Sequence, residues 1–272
     1  MNIARVFCSK TSMTPIDEDA YYDVPSLFLS KRYDEIHINV TFSWDIERSK
    51  FLANEWSRIA TTKVGGFAID GEPTNSFVSG MYLRKGITIT SRGCPNNCSF
   101  CLVNRKLIEL GDFPIGNIIQ DNNILATSEY HWKRVIEMLK TQKSIEFKGG
   151  LDKNILLRKL NRIEDLRSLR IKSLWFACDT PNSLKSLYDV SIKLKSEGFK
   201  NKLYCYVLVG FNKEEEEYRL KEVFKLGFIP FAQLYRNKDD SIKYSSEWKR
   251  FARKWSRPAI IKSKIFRSID II

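Results

Sequence analysis

The sequence has no long apolar run and very little histidine. No stretch among its 272 residues approaches the roughly 20 consecutive apolar residues that a membrane-spanning helix requires. The first residues lack the apolar core of a secretory signal peptide. These absences argue against a helical membrane protein, and we expect a cytoplasmic location with no membrane partner. Only His37 and His131 are histidine, which leaves few imidazole ligands for a metal site.

Cysteine is also sparse, but three of the six cysteines lie close together in the sequence. Cys94, Cys98 and Cys101 follow the spacing Cys-x3-Cys-x2-Cys. A Cys-x2-Cys pair is typical of a tetrahedral zinc site, yet zinc needs four ligands and the sequence contains no second pair. A disulfide framework is disfavoured because the cluster is odd in number and nothing marks the chain as secreted.

Three thiolates suit a cubane iron-sulfur cluster in which one iron has no protein ligand. The cysteine spacing, with the aromatic Phe100 just before Cys101, resembles the signature of the radical S-adenosylmethionine (radical SAM) superfamily. The resemblance implies a [4Fe-4S] cluster on Cys94, Cys98 and Cys101, with S-adenosylmethionine (SAM) chelated at the open iron. It also implies one-electron cleavage of SAM to a 5′-deoxyadenosyl radical, with electrons from a reductant protein such as flavodoxin or ferredoxin. Zinc is the alternative occupant.

Residues 86–240 alternate short apolar runs with helical patterns, which is typical of successive β/α units around a parallel sheet. We therefore expect an α/β protein. The predicted strands begin near Ile87, Asn117, Ile145, Ser173, Leu203 and Ile229, 26 to 30 residues apart. Six such units resemble the partial (β/α)6 barrel of radical SAM enzymes, with the cysteines in the loop after the first strand.

Residues 1–85 have a different pattern and are expected to form a small β-α-β segment. Strands are predicted at 36–40 and 63–67, with a helix over 49–60 between them. The segment resembles a shortened form of the Rossmann-like domain that precedes the barrel in cobalamin-binding radical SAM proteins. Their Asp-x-His-x-x-Gly motif is absent around His37, so we predict no cobalamin. His37 is interpreted as a hydrogen-bonded sheet residue rather than a ligand.

Polar residues and glycines follow the predicted strands, at the edge where parallel α/β folds place their chemistry. The radical SAM resemblance implies a role for each of them. Phe100 lies where the backbone contacts adenine, Asp121, Asn122 and Asn123 hold the amino group of SAM, Gly149, Gly150 and Asp152 face cofactor or substrate, Asp179 binds ribose, and Gly210 lets adenine approach the backbone. A plain polar turn is the alternative for residues 121–123 and 149–152, because Asp, Asn and Gly are common wherever a strand ends.

Two further groups are candidates from their position alone. Cys178 follows the fourth predicted strand and is a candidate for a chemical role. A buried thiol that packs like a small apolar residue is nevertheless the default for Cys178 and for Cys205. Gln233, Tyr235 and Arg236 end the last strand and are candidate substrate residues.

Positive charge is in excess, with a net charge of +13, which favours an anionic partner such as a nucleic acid or nucleotide. Residues 241–272 form a basic, aromatic C-terminal segment with nine Lys and Arg against two acidic residues. Its rings Trp248, Phe251 and Trp255 suit base stacking, but their spacing also predicts an amphipathic helix packed on the body. The alternative to an enzyme is a non-catalytic nucleic-acid-binding protein whose cysteine loop holds a metal.

Overall fold

The computed structural model describes residues 1–69, 77, 80–103, 105–199, 203–261 and 263. The chain divides into two compact units. The first comprises Met1–Thr88 and Lys238–Asp240, and the second comprises Ile89–Asn237 and Ser241–Ile272. Among the described residues, no helix is long and apolar enough to cross a membrane. Of the basic C-terminal segment, residues 262 and 264–272 lie outside the described residues.

The first unit contains a four-stranded parallel sheet in the order β2-β1-β3-β4. The unit contains β1 (Ile3–Phe7), β2 (Ala20–Tyr21), β3 (Glu35–Asn39), a 3-10 turn (Ser43–Asp45), α1 (Ile46–Trp56) and β4 (Thr61–Gly65). It also contains β5 (Gly86–Thr88), which is not a strand of this four-stranded sheet. The predicted β-α-β segment corresponds to β3, α1 and β4. Leu52 and Trp56 of α1 are fully buried against Ile36 and Ile38 of β3, which gives this unit a core of its own.

His37 lies in β3 and is fully buried. Its Nδ1 is 2.6 Å from the hydroxyl of Tyr82 and its Nε2 is 2.9 Å from a carboxylate oxygen of Glu35. Both ring nitrogens therefore have partners, as expected for a sheet residue.

The second unit contains five parallel strands that pair in chain order. Its strands are β6 (Ser91–Arg92), β7 (Ile108–Glu109), β8 (Gly116–Ile119), β9 (Ile145–Phe147), β10 (Ile171–Ala177), β11 (Leu203–Val209) and β12 (Ile229–Leu234). Its helices are α2 (Glu129–Lys140), α3 (Lys153–Arg158), α4 (Asn161–Arg167), α5 (Ser183–Ser196), α6 (Lys213–Lys225) and α7 (Ser246–Trp255). The expectation of an α/β fold with parallel sheets is confirmed. Strands β6 and β7 form a short antiparallel pair that the sequence did not predict.

Local sequence explains where the crossing helices begin and end. Ser128 caps α2 by accepting a hydrogen bond from the amide of His131, and Asn212 caps α6 in the same way from Glu215. Gly198 and Gly227 follow α5 and α6 with φ of +84° and +93°, the left-handed conformation that glycine adopts at low cost.

Alternation along β11 separates the two faces of the sheet. Leu203, Cys205, Val207 and Val209 are buried in the core formed with the helices, while the residues between them are half-buried. Helix α7 covers part of the same core beside β12, with Phe251 and Trp255 buried. The amphipathic interpretation of the C-terminal segment therefore holds for this helix.

Candidate metal centre

The cysteine segment, residues 93–101, leaves β6 through Gly93, whose φ is +78°. Cys94 is half-buried, Cys98 and Cys101 are exposed, and none of the three is in a disulfide. A turn joins the last two, because the amide of Cys101 donates to the carbonyl of Cys98 at 3.1 Å. The three thiols are therefore unpaired and lie on a surface loop.

Asp121, just after β8, ties the start of this segment to the sheet. It is 1% exposed. Its Oδ1 accepts from the amide of Thr90 at 2.8 Å, and its Oδ2 accepts from the hydroxyls of Thr90 and Ser91, each at 2.7 Å. Nε2 of His131 is 3.1 Å from the Thr90 hydroxyl and completes the network. Burial outweighs these bonds and raises the pKa of the Asp121 carboxyl.

Asn122 and Asn123 extend the attachment to the cysteines themselves. Oδ1 of Asn122 accepts from the amide of Gly93 at 3.0 Å. Nδ2 of Asn123 donates to the Cys94 sulfur at 3.3 Å and to Oδ2 of Asp152 at 3.2 Å. The Oδ1 atom of Asn123 is buried without a hydrogen-bond partner. Three consecutive residues after one strand therefore hold residues 90–94.

Asp152, after β9, makes two kinds of hydrogen bond. Its Oδ1 caps α3 by accepting from the amides of Asn154 and Ile155. Its Oδ2 accepts from Nδ2 of Asn96, in the cysteine segment, at 2.7 Å. The ends of β8 and β9 are thus both bonded to the segment.

The thiols influence one another electrostatically. Partial burial raises the pKa of the Cys98 thiol, and the neighbouring Cys101 and Cys94, followed by Asp179 and Asp152, raise it further. Negative charge on Cys98 is therefore disfavoured until a cation is present. This is the expected behaviour of thiols that a metal would ionise.

The ligand types fit a thiolate-ligated cluster, because three thiols that form no disulfide lie on one surface loop. They are close enough that Cys101 and Cys94 add to the effect of burial in raising the pKa of Cys98. Among the residues that the structure describes, no group of three or more His, Cys, Asp or Glu is already arranged to hold a metal ion. The same holds for the thiols of Cys94, Cys98 and Cys101, which would have to come together around a bound metal or cluster.

Gly149 and Gly150 meet different structural requirements for glycine. A Cβ on Gly149 would overlap the carbonyl oxygen of Asp121 and lie 2.9 Å from its carbonyl carbon. Gly149 therefore permits close approach of the chain after β9 to the chain after β8. Gly150 has a φ of +98° and faces open space. The predicted contact of both residues with cofactor or substrate stays a prediction.

Gly210 is in close contact with another part of the unit. Its φ is +127°, and a Cβ there would overlap the Tyr244 hydroxyl. The amides of Gly210, Phe211 and Asn212 donate to the buried carboxylate of Glu216 at 2.9 to 3.2 Å. Within the chain the close neighbour of Gly210 is Tyr244, and the predicted approach of adenine to Gly210 stays a prediction.

Asp179 and Cys178 lie where the fourth predicted strand ends. Oδ1 of Asp179 accepts from the amide of Leu208 at 3.0 Å, and burial raises the pKa of its carboxyl. Cys178 is fully buried, and this burial raises the pKa of its thiol to about 11. The thiol is therefore protonated at neutral pH, as expected for a packing residue.

Phe100 is half-buried in the cysteine segment.

The sequence reasoning missed an aromatic group on the sheet face that is opposite the helical core. The Trp175 ring stacks on Tyr204 and Tyr206 with centroids 4.4 and 4.7 Å apart, and Phe231 meets Trp175 edge-on at 5.8 Å. The Tyr206 hydroxyl donates to the carbonyl of Lys148 at 3.0 Å. The available signal was Tyr204 and Tyr206 at alternate positions of a strand, which places both rings on one face.

Comparison of the chain with models of protein families, with curated proteins and with solved structures finds no match in any of the three.

Proposed function

We propose that the chain is a radical SAM enzyme in which Cys94, Cys98 and Cys101 hold a [4Fe-4S] cluster. The finer form of the fold that we propose is a partial (β/α)6 barrel with the cysteines after its first strand. When bound, such a cluster supplies the electron that cleaves SAM. A reductant protein of the flavodoxin or ferredoxin type would deliver that electron, and the substrate is unassigned.

The observation that carries the proposal is the attachment of the cysteine segment to the carboxyl ends of parallel strands. Asp121, Asn122 and Asn123 after β8 bond to residues 90–94, and Asp152 after β9 bonds to Asn96. The carboxyl edge of a parallel sheet is where α/β folds gather ligands. Neither a zinc-stabilised loop nor a solvated turn requires this placement.

The contacts favour different roles for the two aspartates. Both Asp121 oxygens already accept hydrogen bonds from Thr90 and Ser91, so this buried carboxylate acts as a positioning residue. Among the described residues, Oδ2 of Asp152 accepts from the side-chain amides of Asn96 and Asn123, and the exposed Asn96 side chain can rotate toward another partner. We therefore propose that Asp152, rather than Asp121, contacts the amino group of SAM.

The cofactor test is purification without oxygen, followed by measurement of iron, sulfide, zinc and visible absorption. We expect a brown protein that forms 5′-deoxyadenosine from SAM when dithionite is added. Cys98→Ala should lose the iron. Cys205→Ala, which removes a buried thiol from the core face of β11, is the matched control and should keep it. A colourless zinc protein that leaves SAM intact would falsify the proposal and support the metal-held binding protein.

The same preparation tests the two aspartates through SAM affinity, measured by equilibrium dialysis on the iron-loaded protein. Asp152→Asn should weaken SAM binding by a factor of about 10 to about 150, since one charge-assisted hydrogen bond contributes about 1.5 to 3 kcal/mol. Asp121→Asn should change it much less. A larger loss of SAM affinity in Asp121→Asn than in Asp152→Asn would identify Asp121 as the ligand instead.

A further inference from the structure

The exposed side of α7 carries a group of cations without acidic partners. Arg253 is four residues after Lys249 and three after Arg250, so its side chain neighbours both on one side of the helix, and Arg257 follows shortly after the helix ends. All four are exposed. Within the described part of the chain none of them forms an ion pair. We call these four residues the basic strip.

Among the described residues on the other helices of the second unit, several cations lie beside acids, although single exposed cations such as Arg158 and Lys195 do not. Such pairs include Lys193 with Glu197 on α5, and Arg219 with Glu215 and Lys225 with Glu222 on α6. The single acidic residue of α7, Glu247, pairs with Lys213 of α6, and Lys254 of α7 pairs with Glu217 of α6. The basic strip therefore has no direct ion pair within the described residues, on a protein whose net charge is already +13, although Arg250, after Lys213, helps to lower the pKa of the Glu247 carboxyl.

The opposite side of α7 is committed to the core. Phe251 is 6% exposed and Trp255 is 1% exposed, and Trp248 packs against the same core. These rings cannot stack on bases without unpacking the helix. They also cannot enter a lipid bilayer, which an interfacial amphipathic helix must do with its apolar face. The surface of α7 that is left for a partner is therefore the side that carries the exposed cations.

We propose that the basic strip binds the phosphate backbone of a nucleic acid. Arginine and lysine side chains are the usual donors to backbone phosphates, and such contacts carry no base specificity. The interaction is therefore insensitive to base sequence and steeply dependent on salt, because each neutralised phosphate releases counterions. This inference uses no property of the cluster, so it can fail or succeed independently of the proposed enzyme activity.

The test is fluorescence anisotropy of labelled RNA and DNA, single-stranded and duplex, with the full chain at several salt concentrations. The variant Lys249→Gln/Arg250→Gln/Arg253→Gln should bind about tenfold or more weakly at low salt. Three lost phosphate contacts should also reduce the slope of log K against log salt by about 2 on single strands and about 3 on duplexes. Urea unfolding should be unchanged, since all three side chains are exposed.

A matched control removes three exposed cations at scattered positions of the same unit, Lys143→Gln/Arg158→Gln/Lys195→Gln. It changes the net charge equally and should keep most of the binding. Equal loss in both variants would mean that only net charge matters and would overturn the proposal. So would the absence of binding by the unaltered protein at low salt, or binding through the strip to vesicles containing phosphatidylserine but not to nucleic acid.

Discussion

Gly149 sets the distance between the ends of β8 and β9 at the candidate metal centre. In Gly149→Ala the new Cβ would overlap backbone atoms of Asp121, which cannot rotate away as a side chain would. We expect a loss of about 1 to 3 kcal/mol in the free energy of unfolding, measured with urea. Gly111→Ala is the control, because a Cβ there has no atom within 4 Å, and it should change stability by less than about 0.5 kcal/mol. Equal effects of the two changes would contradict the close approach.

Asp121 should make stability depend on pH in a defined direction. Burial raises the pKa of its carboxyl above 3.8, so the folded protein keeps this proton to higher pH than the unfolded chain does. The stability linked to the protonated carboxyl is complete below pH 3.8 and is lost as pH rises through the folded pKa. Asparagine has a similar size but does not titrate. The stability advantage of the unaltered protein over Asp121→Asn should therefore shrink as pH rises.

The measurement is urea unfolding of both proteins between about pH 4 and about pH 7, with the difference changing by about 1.4 kcal/mol for each unit by which the pKa is raised. A difference that grows with pH would mean that the hydrogen bonds from Thr90 and Ser91 stabilise the carboxylate more than burial destabilises it.

Individual residues also show what the sequence could and could not predict. The positions of Asp121, Asp152 and Gly210 at strand ends follow from the apolar pattern of the strands. Their partners do not follow, because the atoms that meet them come from distant parts of the chain. Tyr244, for example, contacts Gly210 only because the segment before α7 returns to the end of β11.

At the scale of elements, the sequence predicted best those strands that are buried and separated by helices. β8 to β12 each begin within two residues of the predicted position, because apolar runs of this kind leave little choice of structure. β1, β2 and the β6–β7 pair were not predicted. β2 and both strands of the pair are two residues long, so backbone pairing rather than an apolar pattern defines them.

Helix α7 illustrates how burial decides between two interpretations of one pattern. Interleaved aromatic and basic residues suit both base stacking and an amphipathic helix. Helical periodicity places the rings on one side and the cations on the other, and the apolar core beside β12 takes the rings. Because burying a Trp or Phe contributes several times more than an exposed cation, the aromatic face determines how the helix packs.

At the scale of the whole molecule, each of the two units has its own hydrophobic core. The candidate metal centre draws all of its described residues from the second unit, between Thr90 and Asp179. The cysteine segment is exposed and is attached mainly through side chains, so it should open readily when no metal is bound. The sheet of the first unit does not depend on those contacts.

Cluster loading should therefore change backbone protection locally. In hydrogen exchange of the iron-loaded and metal-free proteins, residues 93–101 should become slower to exchange on loading, because thiolate ligation fixes a loop that otherwise fluctuates. The amides of β3, such as that of Ile38, lie in a separate core and serve as the internal control. Cys98→Ala treated in the same way should show no slowing. Slowing in β3 equal to that in the cysteine segment would contradict a local site, since it would mean that the metal stabilises the chain as one cooperative body.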